Sequence, residues 1–368
     1  MSSSTASTSA PSFGQSVWLV TEREIGSKLR SKAFLISTGI LFAIALVAVV
    51  WGGFAAQSDS RIPVAVTPQT SGAVSELTSA VEVTEAADAD AARELVRSGD
   101  VDAALIPGGA DPFGYTLVAN ESVPSGLMPL LSISPPVELL ETGGVDFMLR
   151  YFVALGFGII FFMAAITFGS TIAQSVVEEK QTRVVELLIS AIPTRALLAG
   201  KVLGNTVLAM GQIVGLGAIA IIGLTVTDQT ALLTGLGAPL VWFAVFFLFG
   251  FVLLASLFAA AAAMVSRQED IGSTTTPLTM LVMAPYFLVV FFNDNPVVLS
   301  VMSYVPFSAP VGMPVRVFLG EAQWWEPLLS LAILLATCVA AIMVGARIYE
   351  NSLLRMGARV KLAEALKG

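Results

Sequence analysis

The sequence predicts an α-helical membrane protein with six transmembrane helices and a small extracytoplasmic α/β domain between helices 1 and 2. Three observations carry that expectation. Hydrophobic residues make up 55% of the 368 and charged residues only 12%, whereas soluble chains are about one quarter charged. Six stretches run without a charge for the roughly 20 residues a helix needs to cross a bilayer core: Ala33–Ser58, Tyr151–Val177, Val202–Thr227, Gln229–Ser266, Ile271–Asn293 and Pro327–Ala346. The insertion between the first two is polar and carries short alternating segments.

The Ser/Thr/Ala-rich start, 1–14, lacks the apolar residues a fold needs and is expected to be disordered. Residues 15–32 mix Val17, Trp18, Val20, Ile25 and Leu29 with Glu22, Arg23, Glu24, Lys28 and Arg30. That pattern suits a helix lying in the membrane interface, with Trp18 at headgroup depth. The first span is placed at 34–54. Met1–Ala33 precede it and no Ala-x-Ala-like cleavage site closes it, so it is expected to be retained rather than removed as a signal peptide.

The insertion, 55–150, reads as the α/β domain. Arg61–Thr67 alternates like a strand, and Ala91–Arg97 reads as a helix closed by Ser98-Gly99. Val101–Ile106 is a second strand stopped by Pro107-Gly108-Gly109, while Val81–Thr84 and Tyr115–Ala119 could supply two more. The remaining spans are placed at 151–175, 202–225, 240–265, 271–293 and 327–347, followed by a tail, 348–368. In Gln229–Ser266 the part up to Pro239 is assigned to a loop. The uncharged stretch within 295–325 is not counted as a span. Pro296, Pro306, Pro310 and Pro314 each remove a backbone donor that hydrocarbon cannot replace, so short re-entrant or outer-leaflet helices buried against protein are expected.

With six spans and an inner N-terminus, 14 of the 19 Lys and Arg residues fall on inner segments: Arg23, Lys28, Arg30, Lys32, Lys180, Arg183, Arg195, Lys201, Arg267, Arg347, Arg355, Arg359, Lys361 and Lys367. Such a bias predicts cytoplasmic termini and a plasma-membrane location. The net charge of −8 arises mainly from outer segments and argues against nucleic acid as a partner. With no His, and Cys338 as the lone cysteine, a zinc centre and a His-based triad are excluded. No metal or cofactor is expected on the chain. Gly200-Lys201 is the nearest approach to a phosphate loop, but Val202 follows and Arg195 stands five before Gly200, so ATP is not bound by that route. No span carries a carboxylate or basic pair, which argues against ion-coupled secondary transport.

Two groups of residues are candidates for function. Between spans two and three, 176–200, a charged segment places Glu178, Glu179, Lys180, Arg183 and Glu186 beside Val184, Leu187, Leu188 and Ile192 at helical spacing. Glu179/Arg183 would be an i,i+4 pair and Arg183/Glu186 an i,i+3 pair. A short amphipathic helix of this kind suits docking onto a cytoplasmic motor; the alternative is an ordinary interfacial loop helix. Within the spans, Thr171, Gln174, Asn205 and Gln212 are neutral polar residues, and Asn205 and Gln212, seven apart, share a helix face. They could line a translocation path or simply bond between helices. Gly211-Gln-Ile-Val-Gly215 is a G-x-x-x-G match for close helix approach.

Glu178-Glu-Lys-Gln-Thr-Arg-Val-Val-Glu-Leu-Leu188, then Pro193 and Leu198-Ala-Gly-Lys201, resembles the inner segment of type-2 ABC exporter permeases, and most closely the sodium-efflux (NatB-like) subgroup. Val305-Pro-Phe-Ser-Ala-Pro310, Met313-Pro-Val-Arg316 and Ala346-Arg-Ile-Tyr349 are similar to that subgroup's C-terminal half. The resemblance implies a half-transporter that pairs with a second permease subunit, as homo- or heterodimer, and binds two copies of a cytoplasmic ABC ATPase, which holds ATP and Mg. It assigns ATPase coupling to Glu178, Glu179, Lys180, Arg183 and Glu186, with a second contact from the interfacial helix. The exported substrate would be Na⁺ by the subgroup's label, or a lipid or drug-like molecule given the Phe- and Met-rich spans. The alternative is a membrane-anchored envelope scaffold or receptor acting through its outer domain.

Overall fold

The computed structural model describes residues 11–57, 62–74, 81–108, 114–120, 123, 127, 131, 147–355 and 360–367. The chain forms two compact units, Phe54–Thr142 and the remainder. Most of the start expected to be disordered lies outside the described residues.

Among its described residues, the smaller unit holds a four-stranded sheet and a helix that packs on it. Strands β1 (Ile62–Val66), β2 (Val81–Glu85), β3 (Ala103–Pro107) and β4 (Tyr115–Ala119) lie in the order β2-β1-β3-β4. β1 runs parallel to β2 and β3, and β4 closes the edge antiparallel to β3. Period-two alternation divides the sheet into two faces. Val64, Val66, Val81 and Leu105 pack on one side; Ala65, Ala104 and Ile106 meet Ala92 and Val96 of a helix at Ala89–Ser98 on the other. Asp88 caps that helix by accepting from the amides of Asp90 and Ala91, and Gly99, at φ +81°, ends it.

The larger unit is a bundle. In chain order, α1 is Phe13–Leu29, α2 Lys32–Gln57, α3 the sheet-domain helix just described, α4 Phe147–Gln181, α5 Val184–Ala191, α6 Thr194–Val226, α7 Thr230–Ala263, α8 Ile271–Phe291, α9 Pro296–Met302, α10 Ala309–Phe318, α11 Glu326–Leu353 and α12 Leu362–Lys367. Among the described residues, α2, α4, α6, α7, α8 and α11 are the six helices long and apolar enough to cross a membrane. Helix α7 is the hub, packing on α4, α6, α10 and α11. Phe243, Phe246, Phe247, Phe251 and Phe258 of α7 are buried, and Phe168 meets Phe251 edge to face at 5.7 Å.

Several boundaries differ from those read in the sequence. The stretch before Pro239 is not loop: α7 starts at Thr230 and runs through the proline. One missing N–H is tolerated in a long apolar helix, and Leu236 already packs on the core. Helices α4, α6 and α11 extend past the uncharged runs at their charged ends, because intrahelical hydrogen bonding does not stop where hydrocarbon does. The interfacial helix ends at Leu29, and a break at Arg30–Ser31 turns the chain into α2.

The proline-rich stretch forms α9 and α10, two short helices rather than a span. Asn295 caps α9 by accepting from the amides of Val297 and Val298 at 3.1 and 3.2 Å. All of Ala309–Arg316 is buried against the bundle. A Cβ on Gly250 would fall 2.5 Å from Pro310, so α10 lies on α7 at a distance only glycine permits. Arg316 secures this end, with Nη2 2.9 Å from Glu326 Oε2 and Nη1 donating to Ser303 Oγ at 3.0 Å.

Candidate functional site

The charged segment between α4 and α6 does not form one helix with a single polar face. The last turn of α4 sends its three charges in different directions. Glu178 is exposed. Glu179 turns inward to Arg23 of α1 and to Lys201 of α6, whose Nζ lies 3.0 Å away. Lys180 is fully buried, and its Nζ donates to the carbonyls of Ala263 at 2.8 Å and Ser352 at 2.9 Å. These carbonyls belong to the last turns of α7 and α11, where intrahelical donors run out and the negative ends of two helix dipoles lie; Ser352 O also accepts from the Arg355 amide at 3.1 Å. Lys180 is therefore a cap shared by two helices. Of the residues assigned to ATPase coupling it is thus the one whose charged head is enclosed within the chain.

The expected Glu179/Arg183 pair is corrected. An i,i+4 pair needs a continuous helix, and the chain breaks at Thr182–Arg183, where Arg183 adopts φ +58°, in the left-handed region. Helix α5 then starts in a new direction. Val185 is completely buried, and Leu188, Ile189 and Ile192 pack on the core. Val184, Glu186 and Leu187 face out, Leu187 with 73% of its surface exposed. The apolar residues read as one stripe are thus split, two inward and two outward. The outward surface of α5 is a small apolar patch beside one carboxylate, flanked by exposed Arg183 and Glu178.

Beneath this patch lies a feature the sequence reading did not single out as a site. Helix α1 packs along α6, and the glycines at 200 and 204 set the distance. A Cβ on Gly200 would fall 2.4 Å from Val20 Cβ, and one on Gly204 2.9 Å from Glu24 Cβ. In the turn between them, Lys201 is fully buried and donates to Glu24 Oε1 at 2.9 Å and Ser175 Oγ at 2.6 Å. Arg23 bonds both Glu24 and Glu179. Two cations and two carboxylates, neutral in sum, tie α1, α4 and α6 together. Pairing within the set is what makes burial of such charges tolerable. Burial alone would raise the Glu24 carboxyl, but Lys201 and Arg23 outweigh it and hold its pKa below the ordinary glutamate value. Burial likewise draws the Arg23 guanidinium down, and Glu179 with Glu24 more than restores it. Lys28, one turn further along α1, is lowered by its burial. The sequence signal for the set was Gly200-Lys-Val-Leu-Gly204, a small-x-x-x-small spacing with a lysine inside.

The C-terminal tail returns to the same end of the bundle. The Val360 amide donates to Met264 O at 2.9 Å, and Asn351 Nδ2 donates to Ala365 O in α12 at 2.8 Å. Arg195 of α6 grips Glu350 of α11 through Nε and Nη2, at 2.7 and 3.2 Å.

The four neutral polar candidates are not brought together. Asn205 is buried and donates back to Lys201 O in its own helix at 2.9 Å. Gln212 reaches Thr38 of α2 at 2.7 Å. Gln212 lines a cleft of about 180 Å³ between α2, α4 and α6, with Ser37 and Thr167 as its other polar walls. Thr171 is half-buried and Gln174 exposed on α4. Of the G-x-x-x-G pair, Gly215 faces Phe42 of α2, where a Cβ would fall 2.5 Å away, while Gly211 faces open space.

The chain is 33% identical over 233 residues to the uncharacterized protein YhaP of Bacillus subtilis, covering 60% of this chain and 54% of that protein. It is 24% identical over 221 residues to the uncharacterized protein MJ1024 of Methanocaldococcus jannaschii, with the same coverage of each. It thus spans about half the length of the curated relatives it matches. No solved structure matches it. Residues 32–347, from the first apolar helix to the last, match the family described as ABC-2 family transporter protein, and the chain belongs to that family of multi-pass membrane transport components.

Proposed function

We propose that this chain is the permease subunit of an ATP-driven exporter, that α5 is its docking helix for a separate cytoplasmic ATPase, and that the buried charges beneath α5 couple the docked motor to the membrane helices. The observation that carries this reading is the contrast between the two faces of one short segment. Val184, Glu186 and Leu187 are exposed, while the residues just before them, Glu179 and Lys180, are anchored to four other helices.

In this reading the charged end faces the cytoplasm, as its Lys and Arg content suggests. Two permease subunits, identical or not, each carry one ATPase, which holds ATP and Mg. ATP changes the membrane helices only by binding one arrangement of the complex better than another. A push on α5 reaches α4 through the break at Arg183, α1 and α6 through Glu179, and the ends of α7 and α11 through Lys180. A loose connection would dissipate the displacement; a buried hydrogen-bonded one resists it.

The resemblance to the sodium-efflux subgroup suggests Na⁺ as cargo. The cleft between α2, α4 and α6 favours an amphipathic lipid or drug-like molecule instead, since its polar walls, Ser37, Thr167 and Gln212, are neutral and few. Membership of a transporter family lends nothing to the scaffold alternative. The test is to purify the full chain in mild detergent from its native host and identify what accompanies it. A P-loop ATPase in roughly equal amount is expected; recovery of the folded chain alone would overturn the proposal.

A further inference from the structure

A groove of about 430 Å³ opens where α1 crosses the bundle, walled by α6, α7 and α11. It has a polar end and an apolar end. Its walls are Val17, Leu198, Val202, Val252 and Ile342. The one hydroxyl there, Ser256 Oγ, is already committed to Val252 O at 2.8 Å in its own helix. The only charged residue in the lining is Arg195, in the first turn of α6. From Arg195 the groove follows α6 to Leu203, about 12 Å at the helical rise of ~1.5 Å per residue. It therefore runs from a helix terminus, beside the interfacial helix and its exposed Trp18, toward the apolar middle of the bundle.

The cation at the mouth does not stand alone: Glu350, just outside the lining, is paired with it. Arg195 spends Nε and Nη2 on Glu350, and Nη1 donates to nothing among the described residues. Both side chains reach solvent, the arginine at 70% exposure and the glutamate at 31%. A guanidinium with a free donor prefers a phosphate, and an accessible carboxylate prefers an ammonium that can hydrogen-bond. A bare anion would meet the glutamate, and a bare cation the arginine.

We infer that this groove is a binding site for one phosphatidylethanolamine molecule, with the phosphate on Arg195, the ammonium on Glu350 and the upper part of one acyl chain between α1, α6, α7 and α11. The site is separate from α5 and does not depend on the ATPase reading. Phosphatidylcholine carries the same phosphate but cannot donate hydrogen bonds from its quaternary nitrogen. Phosphatidylglycerol carries the phosphate without a cation to meet Glu350.

The experiment is native mass spectrometry of the full chain in detergent, with dioleoyl phosphatidylethanolamine, phosphatidylcholine and phosphatidylglycerol added at equal concentration. Preferential retention of one phosphatidylethanolamine is expected. Arg195→Ala should lower that retention about tenfold, the scale of one charge-assisted hydrogen bond. Glu350→Gln should abolish the preference over phosphatidylcholine while leaving some lipid bound. Ala199→Phe, which fills the groove and leaves the charged pair alone, should abolish retention with the unfolding temperature unchanged. Equal retention of the three lipids by the wild-type chain, or preference for phosphatidylglycerol, would overturn the assignment, as would full retention in the Ala199→Phe variant.

Discussion

Lys201 Nζ lies 2.9 Å from Glu24 Oε1 with the lysine side chain wholly out of solvent, so the helix on the surface of the bundle and the first turns of α6 are joined by a buried ion pair. Glu179 completes the join from the end of α4. A surface helix held only by its apolar face could slide or lift. Held also by paired charges that it would be costly to separate, it moves with α4 and α6 as one piece.

Replacing Lys201 by Met should destabilise the chain by about 3–5 kcal/mol, because Glu24 and Glu179 lose their buried cation and keep only the half-exposed Arg23 between them. Unfolding in detergent, followed by tryptophan fluorescence, measures it. Adding Glu24→Gln to Lys201→Met should recover part of the loss, since it leaves one carboxylate, Glu179, for the one remaining cation, Arg23.

The same pair fixes an acid response. Glu24 has a folded-state pKa held below the ordinary value of 4.5. Its contribution to stability is thus fully present above that value and is lost as the pH falls through the lower, folded-state pKa. The unfolding temperature of the wild-type chain should fall with acidification below about pH 4.5. The Glu24→Gln variant should start lower and lose less over that range.

Gly200→Leu should lift α1 from α6. Its Cβ would sit 2.4 Å from that of Val20 and 2.9 Å from the Val17 carbonyl, and backbone does not yield as a side-chain tip can. Tryptic cleavage after Arg23 and Lys28 should become much faster. The exposed and uncrowded Gly14 offers the control: Gly14→Leu should leave cleavage unchanged.

Lys180→Met keeps most of the buried volume and removes both hydrogen bonds to the ends of α7 and α11. A loss of about 1.5–3 kcal/mol per charged hydrogen bond sets the scale. Amide exchange should rise in the last turns of those two helices and stay unchanged in α9 and α10, which are held by Arg316 and Glu326.

The six long helices and the sheet domain were legible because each rests on local information: charge-free length, period-two alternation, and caps such as Asp88 and Gly99. The prolines at 296, 310 and 314 marked α9 and α10 for the same reason. Pro239 misled, since a proline reads as a boundary although a long apolar helix can absorb it. The site was legible only in part. Glu179 and Lys180 look solvent-facing in a run of charges, and nothing nearby in sequence shows that their partners are Arg23, Ala263 and Ser352. Such contacts belong to tertiary packing. Only the Gly200/Gly204 spacing around Lys201 hinted at the join, and the better-known pattern at Gly211 and Gly215 drew attention from it.

The central claim is that the outer face of α5 meets a motor protein. A photo-crosslinking amino acid placed at position 187, in the full chain expressed in its native host, tests it most directly. A crosslink to a P-loop ATPase, lost when Glu186→Lys is added, is the result the account requires. Crosslinks to lipid alone, in a chain that is folded and in the membrane, would contradict it.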